Sequence, residues 1–231
     1  MLYAIGEIVL VVIGILIALQ INTWNETRKS RAVAREIYIN LLTSMQQDSM
    51  EVKRAILLQT RSLAIQKDLI LSPQNPYAQG VDQDTLDQKL GYLFGGIMSF
   101  YPKSGVYELI TSNNSMELLE SDQIKSRLIN LYDFQYKRYQ DVDATVDQKF
   151  HNQLNSLIRK KIRFLGTYNA QSEFTFLSHA DPDRFNANYE ELVSECRDVY
   201  GALSTGRNYL LQIQESLEEL MALIRTELNK D

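Results

Sequence analysis

Hydrophobic positions along the chain fall into one uninterrupted apolar run followed by stretches of helical periodicity. Residues 2–21 are apolar almost throughout, with a single acid, Glu7, inside the run. From residue 26 onward apolar residues return at steps of three and four. Val33, Ile37, Leu41, Met45, Val52, Ile56, Leu63 and Ile70 trace one stripe, which predicts a helix over 26–72. No Pro or Gly lies between Gly14 and Pro73, so this helix is expected to continue straight from the apolar run. Pro73, Pro76 and Gly80 then break it. Shorter helices are predicted over 84–99 and 105–120. The first carries Gly91, Gly95 and Gly96, where Gly91-x-x-x-Gly95 reads as close helix packing or as a flexible joint. The second has Ser104 as a candidate cap and "SNNS" as an interruption.

Two further long helices are expected. Ile124, Leu128, Leu131, Tyr139, Val142, Val146, Phe150, Leu154 and Leu157 mark one over 122–163. In the last, over 189–229, Leu192, Cys196, Val199, Leu203, Gly206, Leu210, Ile213, Leu217, Leu220 and Ile224 alternate steps of four and three. That is a heptad seam of the coiled-coil kind. Gly206 leaves a hole in it, to be filled by a large residue opposite or by closer approach of the facing helix. Three rods of about 55–65 Å demand lengthwise antiparallel packing. The expected fold class is all-α: an N-terminal transmembrane helix continuing into an elongated antiparallel bundle of long helices. The broken section between 84 and 120 supplies a fourth layer, and Asp231 returns toward the start of the rod. Loops 72–83 and 164–188 cap the far end. The second loop is aromatic, with Phe164, Tyr168, Phe174, Phe176 and Phe185. It either plugs the bundle tip or offers a partner surface, with Phe174 and Phe176 as the candidates.

A run of about 20 apolar residues is about 30 Å long as a helix, the thickness of a bilayer's hydrocarbon core. A cleaved signal peptide would have a basic start, a shorter core and a small-x-small site, none of which is present here. The expectation is therefore a retained anchor over 1–25, with Trp24 as an interfacial ring. At 100° per residue, Gly14 and Ala18 lie within about 20° of Glu7 on the helical wheel. Gly14-x-x-x-Ala18 is a small-residue pair that lets two helices approach closely. Glu7, Gly14 and Ala18 thus form the candidate helix-packing face. A charged acid near mid-bilayer costs roughly 2.5–3.5 kcal/mol, so Glu7 is expected to be neutral, paired or in a polar seam. Three readings stand: a hydrogen bond across a homo-oligomeric seam, a bond to a different membrane protein, or a proton-carrying carboxylate in an ion-driven complex.

Composition narrows the function further. A net charge of −5 provides no field for nucleic acid. Ten Gly and four Pro favour long helices over a turn-rich β fold, and the lone Cys196 excludes an internal disulfide framework. His151 and His179 fall on different predicted elements with no ligand spacing around them. "RKKIR" (Arg159, Lys160, Lys161, Arg163) complements a helix C-terminus or meets a lipid or acidic partner. No catalytic, cofactor-binding or metal-binding constellation emerges. The partners expected are the bilayer and a second copy or another membrane protein.

"YAIGEIVLVVIGILIALQINTWNE" resembles the opening of a family of uncharacterised Bacteroidota single-span membrane proteins, which carry Asn where this chain has Thr23. "SFYPKSGVYELITSNNSMELLESDQIKSRLINLYD" is similar to a second family stretch, with its Phe-x-Pro followed by Tyr-Glu-x-Leu. The resemblance implies an inner-membrane protein with its bundle in the periplasm and no established activity. In relatives a short basic segment precedes the span, whereas this chain opens at Met1 without one. Arg28, Lys29, Arg31 and Arg35 after the span would by themselves put the bundle in the cytoplasm. Both orientations stay open. The function expected is that of a structural or interaction protein. The alternatives are a subunit of an ion-driven complex with Glu7 as proton site, or a ligand-sensing helical ectodomain.

Overall fold

The computed structural model describes residues 2–72, 74–75, 80, 82–168 and 174–230. At residues 2–9, 11, 167, 168, 174 and 176 it describes the backbone alone. Helix α1 spans Leu2–Leu71, 70 residues without a break and about 105 Å long. Its end is set at Ser72, whose amide and hydroxyl both donate to the Asp68 carbonyl just ahead of Pro73. Helix α2 is Gln83–Phe94, capped by Asp82, whose carboxylate accepts the Asp84 and Thr85 amides. The helix expected to reach residue 99 stops at Gly95 instead. Just past its end the chain passes close to α1: a Cβ on Gly96 would lie 2.1 Å from both Cβ and Oγ of Ser62, so only glycine fits there. Gly91 is buried within α2 and Gly95 ends it.

Helix α3 is Gly105–Ser112. Ser104 does not cap it: its backbone is helical, and its hydroxyl donates to Glu108 rather than accepting an amide. Asn114, in the left-handed region at φ 60°, turns the chain into a short 3-10 turn at Ser115–Leu118. The element over 105–120 is thus interrupted at "SNNS", as expected, with a helix before it and a single turn after it. Helix α4 covers 122–162, capped by Ser121. Three π-helical turns interrupt it, at Asn130–Gln135, Phe150–Leu154 and Ile158–Ile162. A π turn widens the helical repeat and rotates the residues beyond it about the axis. Tyr136, Ile158 and Ile162, each within or just past such a turn, are buried.

The segment expected to be a capping loop contains regular structure. Strands β1 (Leu165–Tyr168) and β2 (Phe174–Ser178) pair antiparallel, with Leu165 opposite Ser178. The short helix α5, Pro182–Ala187, follows, and α6 runs Tyr189–Leu228. The aromatic plug is real for two members, since Phe164 and Phe185 are fully buried at the tip. The side chains of Tyr168, Phe174 and Phe176 lie outside the described residues.

Specific pairs give the direction of each rod. Tyr189 on α6 reaches the Leu69 carbonyl, Gln214 bonds Ser49, and Glu227 shares a recess with Arg31 and Arg35. Thus α6 descends as α1 rises. Lys149 pairs with Asp198, and Arg127 with Glu219, so α4 rises beside α6. Gly96 against Ser62, Lys103 against Glu51 and Glu120 against Arg31 show the α2–α3 section descending. The fold is all-α, as the pattern predicted, with helix at 84%. All ten seam positions of α6 are buried. Val142 and Val146 face Gly206 at 3.8 and 3.7 Å from where its Cβ would be, so branched side chains fill the hole.

Two apolar clusters stack along the rod. One gathers Leu41, Met45, Leu128 and Leu217; the other Leu90, Phe150, Ile162 and Leu192. Polar core residues Gln59, Ser62 and Gln66 on α1 lie at the same level as the Tyr139–Asp143 pair or beyond it. Below residue 34 the picture changes. Ala34 is the first buried residue of α1 among those described, and about 45 Å of helix extends past the bundle. Among the described residues no helix is long and apolar enough to cross a membrane. The side chains of residues 2–9, part of the apolar run, are not among them.

Candidate functional site

Polar chemistry concentrates where α1, the 96–104 segment, α3 and α4 meet. The stripe that carries Leu41, Met45 and Val52 inward carries Asp48 inward as well, and Asp48 is 0% exposed. A buried carboxylate must be hydrogen-bonded. Asp48 accepts the Lys103 amide at 3.1 Å and the Tyr136 hydroxyl at 3.1 Å, and Lys103 Nζ lies 3.7 Å away. Lys103 in turn grips Glu51 at 2.6 Å. Burial pushes the Asp48 carboxyl above its ordinary value, opposed by the Lys103 amide and the Tyr136 hydroxyl. Lys103 is moved upward chiefly by its bond to Glu51.

Tyrosines extend the site outward. Tyr132 stacks on Tyr107 with ring centroids 4.4 Å apart and nearly parallel planes, and meets Tyr136 edge-on at 5.0 Å. The Tyr107 hydroxyl donates to Asp133 at 2.6 Å, and Lys137 pairs with the other oxygen at 2.9 Å. Those two bonds hold the Asp133 carboxyl below the usual carboxylate range. Burial and the Asp133 bond raise the Tyr107 phenol. Tyr132, Asp133 and neighbours sit on the first π turn of α4. On the α3 side, Ser104, Tyr107, Glu108 and Thr111 share one helical face. Between the two faces lies a cleft of about 280 Å³, lined also by Pro102 and, on α4, by Tyr132, Asp133, Tyr136, Lys137 and Gln140. A little farther up, Tyr139 donates to Asp143 at 2.8 Å, and burial raises the Asp143 carboxyl.

A second buried acid serves the far end. Asp87 on α2 accepts the Ala180 amide at 2.7 Å and faces His179 Nδ1 at 2.6 Å, while Gln83 ties both Asp87 and the Ala180 carbonyl. This pair fastens the end of the hairpin to α2. His179 and Asp87 are 92 residues apart, so spacing could not have joined them. His151 lies 3.3 Å from Asp147, one turn away on the same helix. Among the described residues no group of three or more His, Cys, Asp or Glu could hold a metal ion. Lys161 of the basic run pairs with Glu191, and Arg163 ends α4 in the left-handed conformation at φ 62°.

The residues singled out from the sequence fall elsewhere. Gly14 and Ala18 are exposed on the protruding part of α1, with nothing within 4 Å of a Cβ built at Gly14. The Glu7 side chain, like those of Phe174 and Phe176, lies outside the described residues. Trp24 is exposed, with the Arg28 guanidinium 5.5 Å from its ring centroid. The structure therefore does not bring Gly14, Ala18 or Trp24 to the Asp48–tyrosine site. Sequence reasoning missed that site although one signal was present: an acid occupies an inward position of an otherwise apolar stripe.

A family model described as a family of unknown function (DUF6090) matches residues 7–173, which is 167 of the 231 residues. The chain belongs to this family. The DUF6090 match takes in Glu7, Asp48 and every residue of the cleft, and ends between the two strands of the hairpin. Helix α6, which closes both apolar clusters, lies beyond the matched portion. No curated protein and no solved structure matches the chain.

Proposed function

We propose that this protein is a membrane-anchored helical interaction protein, tethered by residues 1–25 and acting through association rather than catalysis. One observation carries the reading. From Leu10 to Trp24 the described large apolar side chains are each at least 48% exposed, on a part of α1 that the bundle does not cover. Single exposed apolar residues are ordinary, but nine on one protruding helix need a covering phase. A bilayer supplies it, with Trp24 and the Arg28 stacked near it at the water boundary. The apolar sequence of residues 2–9 extends the same surface, Glu7 excepted. The Glu7, Gly14 and Ala18 face then meets a second copy of this chain or another membrane protein, where a neutral Glu can hydrogen-bond across the seam. The family resemblance favours a bacterial inner membrane with the bundle in the periplasm.

Cysteine cross-linking in native membranes tests the seam. Cys196 is buried and its thiol is pushed up to about 12, so it stays silent in the folded chain. Gly14→Cys and Ala18→Cys should form disulfide-linked dimers, whereas Leu16→Cys and Leu19→Cys should not. Cross-linking through Leu19 in place of Gly14 would remove the proposed seam. Glu7→Gln separates a hydrogen bond from proton transfer. Under the seam reading the neutral isostere keeps the cross-links; a proton-carrying role would leave assembly intact and abolish function.

A further inference from the structure

We propose that two copies of this chain pair side by side along the outer face of α1, in an interface that continues from the apolar segment up the bundle through Ala32, Ile39, Met50 and Leu57. The inference rests on the membrane tether proposed above and names what meets its Gly14 and Ala18 face: a second copy. The first observation is one of direction. At 100° per residue, the buried residues that begin the bundle on α1 (Ala34, Ile37, Tyr38, Leu41 and Met45) point about 180° away from the mean direction of Gly14 and Ala18. The bundle therefore lies on the far side of α1 from that face, and two copies can bring their α1 helices together without their bundles colliding. Helix α1 is unbroken over Leu2–Leu71, so a direction set at Gly14 carries into the bundle. The second observation is what lies along that direction. Eighteen residues make five helical turns. Steps of that length run through Gly14, Ala32 and Met50 in one row and through Ile21, Ile39 and Leu57 in the row beside it. All six are exposed, and on the bundle Ile39 is 42%, Met50 66% and Leu57 48% exposed. Both rows are uncharged up to Leu57, and the next step of the first row, Asp68, marks their upper end. Of the charged neighbours, Lys53 turns aside to Glu218 at 3.0 Å, and the Arg61 guanidinium lies over the Tyr92 ring.

Geometry selects a second copy as the occupant. A tether holds every copy at the same height and in the same orientation, so a pair is parallel, in register and related by a two-fold axis, and its partners are concentrated in one plane. Each row then meets its own counterpart at the same level. Arg35 and Glu36, both exposed, stand about 50° to either side of the rows, so the two-fold sets each opposite the other's charge in the partner. The area is sufficient as well. From Gly14 to Leu57 is about 65 Å of helix, and a contact strip about 10 Å wide along it covers roughly 650 Å² of each copy, or about 1,300 Å² for the pair, within the range of specific interfaces.

Disulfide cross-linking of the full chain in native membranes tests the pairing, with one cysteine introduced at a time. A disulfide needs Cα atoms within about 7 Å, so only positions on the shared face can link. Met50→Cys and Leu57→Cys, both at exposed sites, should form dimers about tenfold more than Phe134→Cys, whose site on α4 is 65% exposed. Two differently tagged copies, co-expressed, should both appear in the linked band. If Gly14→Cys forms dimers while Met50→Cys and Leu57→Cys do no better than Phe134→Cys, pairing is confined to the membrane; that overturns the inference and leaves the tether and its seam intact. A linked band holding one tag and a foreign protein would overturn the choice of a second copy. Failure of the tether itself shows separately, as release of the uncross-linked chain by alkaline carbonate.

Discussion

Two glycines show how much a single position can weigh in this bundle. At Gly96 an added methyl would overlap Ser62 at 2.1 Å and approach the Tyr92 carbonyl at 2.9 Å. The obstacle is backbone and Cβ, which cannot rotate away, so Gly96→Ala should cost about 3 kcal/mol or more. At Gly206 the same methyl would make ordinary contacts with Val142 and Val146. Gly206→Ala should therefore gain about 0.5–1 kcal/mol from helix propensity alone. Thermal melts of the two variants, followed by far-UV circular dichroism, should shift in opposite directions. Asp48 makes a different prediction. Its folded carboxyl is held above the ordinary 3.8 by burial, so it keeps its proton where the unfolded chain has lost it. Unfolding then releases a proton, and stability falls as pH rises from 3.8 through the folded value. Asp143 acts in the same sense. Asp133, held low by Tyr107 and Lys137, acts oppositely and in a lower window, losing its contribution as pH falls below 3.8. Asp48→Asn should flatten the decline above pH 4 without removing it, as read from denaturation midpoints at several pH values. An unchanged slope would mean that Asp48 is ionised throughout.

The elements were legible in proportion to the regularity of their pattern. The α6 seam could be read position by position because each heptad residue faces the same two neighbours. The continuity of α1 came from the absence of any helix breaker. Helix α4 was legible in extent, yet its three π turns were not, because a widened turn leaves no mark on a count of threes and fours. The end of α2 was misplaced by a few residues, and the close approach of Gly96 to Ser62 just beyond it is a contact made across the fold that no local pattern shows. The hairpin was missed for a related reason: Leu165–Tyr168 and Phe174–Ser178 are short and sit in a stretch whose aromatics suggested a plug. The candidate site was half legible. Asp48 could have been flagged as an acid on an apolar stripe, but the tyrosines that receive it come from α3 and α4 and required the fold. The hairpin's attachment can be tested as an element. Asp87→Ala would strand the Ala180 amide, which Asp87 binds at 2.7 Å in a buried setting. It should cost about 1–3 kcal/mol. Limited proteolysis should then cut between β2 and α5 while the three long rods persist.

At the scale of the whole molecule, the arrangement is a rod with two unlike ends. The far end is closed by the hairpin, α5 and buried Phe164 and Phe185. The near end carries Arg31, Arg35 and Lys230 around a small recess with Glu120 and Glu227, and beyond it α1 continues alone. A lone apolar helix in water is unstable for two reasons: it lacks tertiary burial, and its side chains remain hydrated. The proposed tether requires this segment to be embedded in lipid with its Glu7, Gly14 and Ala18 face toward protein. The most direct measurement is alkaline carbonate extraction of membranes from cells expressing the full chain, read by immunoblot of pellet and supernatant. A lipid-embedded α1 keeps the protein in the membrane pellet after extraction and releases it only with detergent. Quantitative recovery in the carbonate supernatant would contradict the tether.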